Sequence, residues 1–141
     1  MNILVDTPIW SLALRRRKRQ LRQTDRRIVF NLEELIRTGR AEIIGPVRQE
    51  ILSGVRSEAQ FESLRQHLQH FSDVLLSQED YEEAARCNNV CRQRGVQGTA
   101  TGFLLCAVAI RRGWSVFTTD DDFHHYVNCL PLVLHQPEEL A

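Results

Sequence analysis

The sequence has no long apolar run, no excess of either charge and few cysteines, and each absence excludes a class of protein. No apolar stretch approaches the ~20 residues that a membrane span needs, and no charged start is followed by an apolar signal region. The 18 Lys and Arg residues balance the 18 Asp and Glu residues, so the net charge gives no indication of general affinity for nucleic acids. We therefore expect a soluble, cytoplasmic protein that does not bind membranes.

The four cysteines, Cys87, Cys91, Cys106 and Cys129, lack the spacing of a zinc site. Cys87 and Cys91 are four residues apart, which places them on one face of a helix, but no second pair or nearby histidine completes a ligand set. We interpret all four as reduced thiols in the core or at the surface.

The chain does contain enough apolar material for one domain. Its 141 residues, 43% of them hydrophobic, predict a single domain over residues 1–141. Short apolar segments alternate with longer segments of helical periodicity. This pattern predicts an α/β fold, a three-layer α/β/α sandwich around a mostly parallel central sheet of about five strands. The predicted strands cover residues 3–5, 41–45, 73–77, 114–118 and 132–134.

The first predicted strand ends in a carboxylate. Residues 3–5 are apolar on successive positions, as in a strand buried on both faces, and Asp6 follows at the carboxyl end. In open parallel sheets the functional crevice lies beyond those ends. Alternatively, Asp6 or Thr7 caps a helix that begins at Pro8, since Asp and Thr are common caps and Pro is common at the first helical position. Taken alone, this segment does not decide between the two interpretations.

Other acids follow later predicted strands. Glu50 lies one helical turn beyond the second strand, and Asp120, Asp121 and Asp122 follow the fourth. Carboxylates gathered at one edge of a sheet repel one another unless a cation joins them. Oxygen ligands without cysteine or histidine favour Mg²⁺ or Mn²⁺, and such an ion can activate water and stabilise charge on a phosphoryl oxygen. The alternative for residues 120–122 is a turn and helix-cap cluster.

One early segment concentrates positive charge. Its residues are Arg15, Arg16, Arg17, Lys18 and Arg19, followed by Arg22, Arg26 and Arg27. A local basic patch of this kind can bind the phosphates of RNA. The alternative is a solvated helix face, which is the commoner role of a charge run.

Four segments are specific in their combined order and spacing. They are residues 3–7 with Ser11, residues 47–54 around Glu50, the helix 103–113, and the closing T-x-D-x-D-F motif of residues 118–123. In these segments, and over nearly its whole length, the chain resembles PIN-domain ribonucleases. More narrowly, it resembles VapC-type toxins of type II toxin-antitoxin systems.

The resemblance implies a three-layer α/β/α fold, Mg²⁺-dependent cleavage of RNA, with tRNA among the possible substrates, a homodimer, and a cognate antitoxin that covers the site. It also implies roles for individual residues. The catalytic acids would be Asp6, Glu50 and Asp120; the metal ligands would be these three with Asp122; and the supporting hydroxyl groups, which orient ligands or water, would be those of Thr7, Ser11, Thr118 and Thr119.

One position departs from the family pattern. The family has a third acid at the first residue of Asp-x-Leu-Ile-x-Ala-x-Ala, and this chain has Gly102 there. Thr101 precedes it as in the family, and no turn requires a glycine at the start of a helix, so we interpret Gly102 as the position of the missing acid. Loss of one of about four acidic ligands weakens Mg²⁺ binding. We therefore expect a chain that folds but is inactivated or weakened as a ribonuclease.

Two alternatives come from other classes of protein. A catalytically degenerate PIN module would bind RNA or an antitoxin without cleavage, and Gly102 favours it. A phosphoacceptor receiver domain also has an aspartate at a strand end, but it needs an acidic pair near the first strand and a late lysine. Lys18 is the only lysine of this chain, which argues against a receiver domain.

Overall fold

The structure, a computed structural model, describes residues 1–15 and 21–137. Three strands and seven helices lie within these residues. In chain order they are β1 (Ile3–Val5), α1 (Thr7–Arg15), α2 (Gln23–Arg37), β2 (Ala41–Glu42), α3 (Gly45–Leu52), α4 (Glu58–Leu68), α5 (Gln78–Gln93), α6 (Ala100–Arg112), β3 (Ser115–Phe117) and α7 (Asp122–Cys129).

β1 lies in the middle of the sheet, paired in parallel with β2 on one side and with β3 on the other. Its three residues are at most 2% exposed, as their continuous apolar character predicts. The order β2-β1-β3 means that the chain leaves β1 toward one side of the sheet and later returns on the other. The resulting topological switch point lies at the carboxyl end of β1, where parallel sheets of this kind bind their ligands.

The predicted count of about five strands is wrong, because two of the five segments form only one bridge each within the described residues. These parallel bridges are Ile43–Asp73 and Val116–Leu134. After the first bridge the chain turns toward α5 and leaves Leu75 91% exposed, and at the second, Val133 is 62% exposed. Neither segment buries enough apolar surface to extend its pairing. The parallel α/β character is confirmed, and the arrangement in three layers stays a prediction.

α6 is the most buried helix, with every residue from Gly102 to Ala109 in the core. It packs on α5, β1 and β3, so its apolar character on all sides is accounted for. It begins where the Thr99 hydroxyl accepts the Gly102 N–H, and it ends at Gly113, whose φ of 70° is left-handed and favours glycine. Among the described helices, none combines the length and the hydrophobicity that crossing a membrane requires.

A buried carboxylate joins α5 to α6. Asp80 closes a capping box with Ser77 at the start of α5, and its side chain is 0% exposed. It accepts hydrogen bonds from Arg111 at 2.5 Å and from Arg112 at 2.8 and 3.0 Å, at the end of α6. The Arg112 guanidinium is the main reason that the pKa of Asp80 lies well below its usual range. This network fixes the packing of the two helices on each other.

The cysteines are free thiols, and Cys87, Cys91 and Cys106 are buried. Burial raises the pKa of Cys87 and of Cys91 to about 11, so both stay protonated at neutral pH. They contribute to the core as small apolar groups, which confirms the interpretation from the sequence.

Candidate acidic site

Asp6 lies at the switch point of the sheet, between the carboxyl ends of β1 and β3. Its N–H donates to the Phe117 carbonyl oxygen at 2.9 Å, so the pairing of the two strands continues one residue past β1. This register brings the Asp6 side chain next to Thr118, the first residue after β3. The Thr118 hydroxyl donates to Oδ2 of Asp6 at 2.8 Å, although the two residues are 112 positions apart in the chain.

The Asp6 carboxylate is buried, with 6% of the residue exposed. Its pKa is raised to about 6, chiefly by burial and to a smaller extent by the negative charges of Glu50 and Asp120, while hydrogen bonds from Thr118 and from the Thr7 N–H act to lower it. Glu50 and Asp120 therefore lie near enough to Asp6 to act on it electrostatically. The convergence of the three acids on one shared pocket stays a prediction.

Asp6 also serves the start of α1, as the alternative interpretation proposed. It directly precedes the helix, and its Oδ1 accepts the N–H of Thr7 at 2.7 Å. The two interpretations are compatible, because the carboxylate has lone pairs for both the helix and a further ligand. The helix begins at Thr7 rather than at the predicted Pro8.

The segment after β3 is a chain of turns held by its own side chains. The Asp120 N–H donates to the Thr118 hydroxyl oxygen, and the Asp122 N–H donates to Oδ1 of Asp120, each at 3.0 Å. Asp121 is the residue before α7, and Asp122 is the first residue of that helix. The turn interpretation therefore holds for Asp120, which is exposed, while Asp121 makes no side-chain capping hydrogen bond with α7.

Glu50 is exposed on α3, and a neighbouring arginine fixes that helix in place. Arg48 forms an ion pair with Asp73 at 2.9 Å. It also donates to the carbonyl oxygens of Leu68, at 2.9 Å, and of Phe71. These contacts fix α3 relative to the end of α4 and so determine where Glu50 lies. No local sequence signal indicates this role, because the three acceptors of Arg48 are distant from it along the chain.

Gly102 is buried at the start of α6, and the space beside it is already filled. A Cβ atom on this residue would lie 3.0 Å from the Thr99 hydroxyl oxygen and 3.3 Å from the hydroxyl oxygen of Tyr126. Tyr126, on α7, is 1% exposed; burial, and next the charge of Asp122, raise the pKa of its phenol to about 12. Sequence reasoning missed Tyr126, which stands four residues after Asp122 and therefore on the same face of α7.

Of the supporting hydroxyl residues, Thr118 contacts Asp6 directly. Thr7 Oγ1 is a buried oxygen with no hydrogen-bond partner in the described part of the chain, an arrangement that an additional water or ligand would satisfy. Ser11 is half-buried one turn further along α1, and Thr119 is exposed. In the predicted basic patch, Arg15 is exposed at the end of α1, and residues 16–19 lie outside the described residues.

The acids do not form a complete metal site as they lie. Over residues 1–15 and 21–137, no group of three or more His, Cys, Asp or Glu side chains is placed to hold one ion. The donor chemistry of Asp6, Glu50 and Asp120 suits a hard divalent cation, but their spacing does not. The assignment of Gly102 as the position of the missing acid stays a prediction.

The fold is similar to that of several proteins of known structure. A chain of FitAcB from Neisseria gonorrhoeae matches with a TM-score of 0.75 and 18% identity over 96% of this chain and 97% of that one. A chain of VapBC2 from Rickettsia felis, solved with a fragment of promoter DNA, matches with a TM-score of 0.71 and 18% identity over 96% and 98%. A toxin-antitoxin complex from Klebsiella pneumoniae matches with a TM-score of 0.65 and 16% identity over 99% and 100%.

At these identities the similarity concerns the fold. No protein of curated function matches the sequence closely enough to count as a relative. The family comparison is more direct, because the PIN domain matches residues 3–128, from β1 through most of α7. The chain therefore belongs to the PIN domain family.

Proposed function

We propose that this protein is the toxin component of a type II toxin-antitoxin system, a Mg²⁺-dependent endoribonuclease by family whose cleavage is weakened or lost in this chain. The observation that carries the proposal is the buried carboxylate of Asp6 at the switch point of a PIN fold, where the charges of Glu50 and Asp120 act on it. PIN domains are generally nucleases. The similar structures include toxin-antitoxin complexes, which supports an antitoxin as the partner.

The residues of the site have separate roles in this proposal. Asp6, Glu50 and Asp120, with Asp122 at the rim, supply the negative charge that a divalent ion such as Mg²⁺ or Mn²⁺ would bind. Thr118 holds Asp6 in position, and Thr7 offers a free hydroxyl to water. Because the acids do not form a complete ligand set, we infer that any such ion is held weakly and that cleavage is correspondingly slow.

The basic segment from Arg15 to Arg19 supplies the contact with the RNA backbone in this proposal. It begins at the last residue of α1, and the first residue of α1 adjoins Asp6, so a single helix connects the start of the proposed phosphate-binding segment with Asp6. A helix of 9 residues is about 13 Å long. This spacing would let the backbone of a single-stranded RNA extend from the patch to the acids. A homodimer and a cytoplasmic location complete the proposal.

A second candidate function is binding without cleavage. The absence of a three-residue metal-binding group from the described residues favours it. In that case the chain would bind RNA or its antitoxin partner without cleaving RNA.

RNA cleavage by the purified chain and two variants tests the proposal. With Mg²⁺ or Mn²⁺, we expect slow cleavage that is abolished in Asp6→Asn and retained in Glu79→Gln, a matched change of an exposed acid on α5. Equal cleavage in Asp6→Asn would refute the assignment of the site. No cleavage by any of the three, with RNA binding retained, would establish the second candidate.

A further inference from the structure

We propose that the phenol of Tyr126 takes the place of the missing carboxylate, and that Gly98 and Gly102 are glycines because they make room for it. This inference rests on the proposed function only in naming position 102 as that of the missing acid. Tyr126 is then a positioning residue, because its phenol leaves the proposed acidic site with one carboxylate fewer than the family pattern has. In this view the acid at position 102 is missing because of the way Gly98, Gly102 and Tyr126 pack together, rather than because of one isolated substitution.

Gly98 is the most tightly constrained glycine of the chain. A Cβ atom there would lie 2.2 Å from the hydroxyl oxygen and 2.7 Å from Cζ of Tyr126, and 2.8 Å from Cε2 of Phe103. These distances are far below van der Waals contact. The backbone itself does not require glycine, because Gly98 is not among the residues with positive φ. Its missing side chain is therefore explained by the tyrosine and by Phe103.

A Cβ atom at Gly102 would also crowd Tyr126, but at longer distances than one at Gly98. Gly102 lies inside the first turn of α6 without a positive φ, where alanine is the better helix former. A Cβ there would meet Tyr126 at 3.3 Å from the hydroxyl oxygen and 3.4 Å from Cε2. An aspartate must extend its carboxyl group beyond that Cβ, into the region of the phenol.

The tyrosine cannot easily turn away to admit such a side chain. Its ring packs against Phe103 at 4.9 Å and against Phe123 at 5.0 Å between ring centroids. With 1% of the residue exposed, no solvent-filled space is available for another rotamer. We therefore expect a carboxylate at position 102 to fit better once the hydroxyl group of Tyr126 is removed.

A double-mutant cycle on thermal stability tests the packing. The variants are Gly102→Ala, Tyr126→Phe and the double variant, with Gly45→Ala as the matched control, because a Cβ there meets only an ordinary contact of 3.5 Å. We expect Gly102→Ala to lower Tm by about 3 °C or more beside tyrosine and by less beside phenylalanine. The helix propensity gain and the Thr99 contact are common to both backgrounds and cancel. Equal effects in the two backgrounds would overturn the proposal.

Calorimetric titration with MnCl₂ tests the consequence for the site. We expect Gly102→Asp alone to bind Mn²⁺ no better than the parent chain, and Gly102→Asp/Tyr126→Phe to bind it about tenfold more tightly. Tight binding by Gly102→Asp alone would overturn the proposal. If neither variant binds Mn²⁺ while the stability cycle shows coupling, the role of Tyr126 stands and the proposed metal-dependent function fails.

Discussion

Thr118 and Asp6 are joined by a hydrogen bond of 2.8 Å between the ends of two neighbouring parallel strands. The bond links the first and the last strand of the described chain beside the proposed acidic site. Since the same hydroxyl oxygen accepts the Asp120 N–H, Thr118 holds two of the proposed acids at once.

Thr118→Val removes the hydroxyl group at nearly constant volume. The Thr118 hydrogen bond lowers the pKa of Asp6, so its loss should raise that pKa above its present value of about 6. Carboxyl NMR titration measures the change. Thr119→Val, a change of the exposed neighbour, serves as the control and should leave the pKa of Asp6 unchanged. If Thr118→Val also leaves the pKa of Asp6 unchanged, the hydrogen bond is absent in solution.

The stability of the chain should depend on pH through Asp6. Its folded pKa, about 6, is above its ordinary value of 3.8, so the protonated form is favoured in the folded state. The resulting stability is fully present below pH ~4 and is lost as pH rises toward 6, on the order of 2 to 3 kcal/mol in total. Urea unfolding in EDTA at several pH values measures it. Asp6→Asn should lack this dependence of the unfolding free energy on pH. The same dependence in the variant would show that another group is responsible.

Asp80→Asn should strongly destabilise the chain. Asp80 is fully buried against Arg111 and Arg112, and its substitution leaves two cationic groups without their anion, at a cost of about 3 kcal/mol or more. Its lowered pKa also means that its contribution disappears as pH falls below the ordinary range of an aspartate. Chemical unfolding measures the change. Asp25→Asn serves as the control, because it breaks an ion pair with Arg22, whose side chain is 84% exposed. It should change the free energy of unfolding by less than about 1 kcal/mol.

Arg48→Lys should loosen α3 without unfolding the chain. Lysine cannot reproduce the separate contacts of the guanidinium with Asp73, Leu68 and Phe71, so we expect a loss of about 1 to 3 kcal/mol. Hydrogen exchange should increase in residues 45–52, and Mn²⁺ binding, where measurable, should weaken as Glu50 moves. The exposed Arg56→Lys serves as the control. Unchanged exchange in α3 would contradict the anchoring role.

The central part of the fold could be predicted because its signals are local. The buried run of β1, the position of Asp6 after it and the apolar helix α6 each occupy a few consecutive residues, and all were identified. Helix boundaries are less predictable. Thr24 has the residue type of a helix cap, yet α2 begins at Gln23, and Arg22 precedes it without a side-chain cap.

The remainder depends on contacts between distant residues, which a sequence does not display. The phenol of Tyr126 fills the space beside Gly98 and Gly102, and this explains a glycine that appeared in sequence as an unexplained replacement. The number of strands was overestimated for a related reason. A short apolar segment such as 132–134 has the composition of a strand. The number of its residues that pair depends on how much of the segment the neighbouring elements cover.

The central position of β1 has a consequence for biosynthesis. β2 is available to it soon after translation begins, since Ile3 pairs with Ala41, but its other neighbour begins only at Ser115. A growing polypeptide therefore exposes Asp6 without Thr118 and Asp120 until more than a hundred residues have been made. A nascent chain that ends before β3 carries Asp6 without the hydroxyl group that holds it.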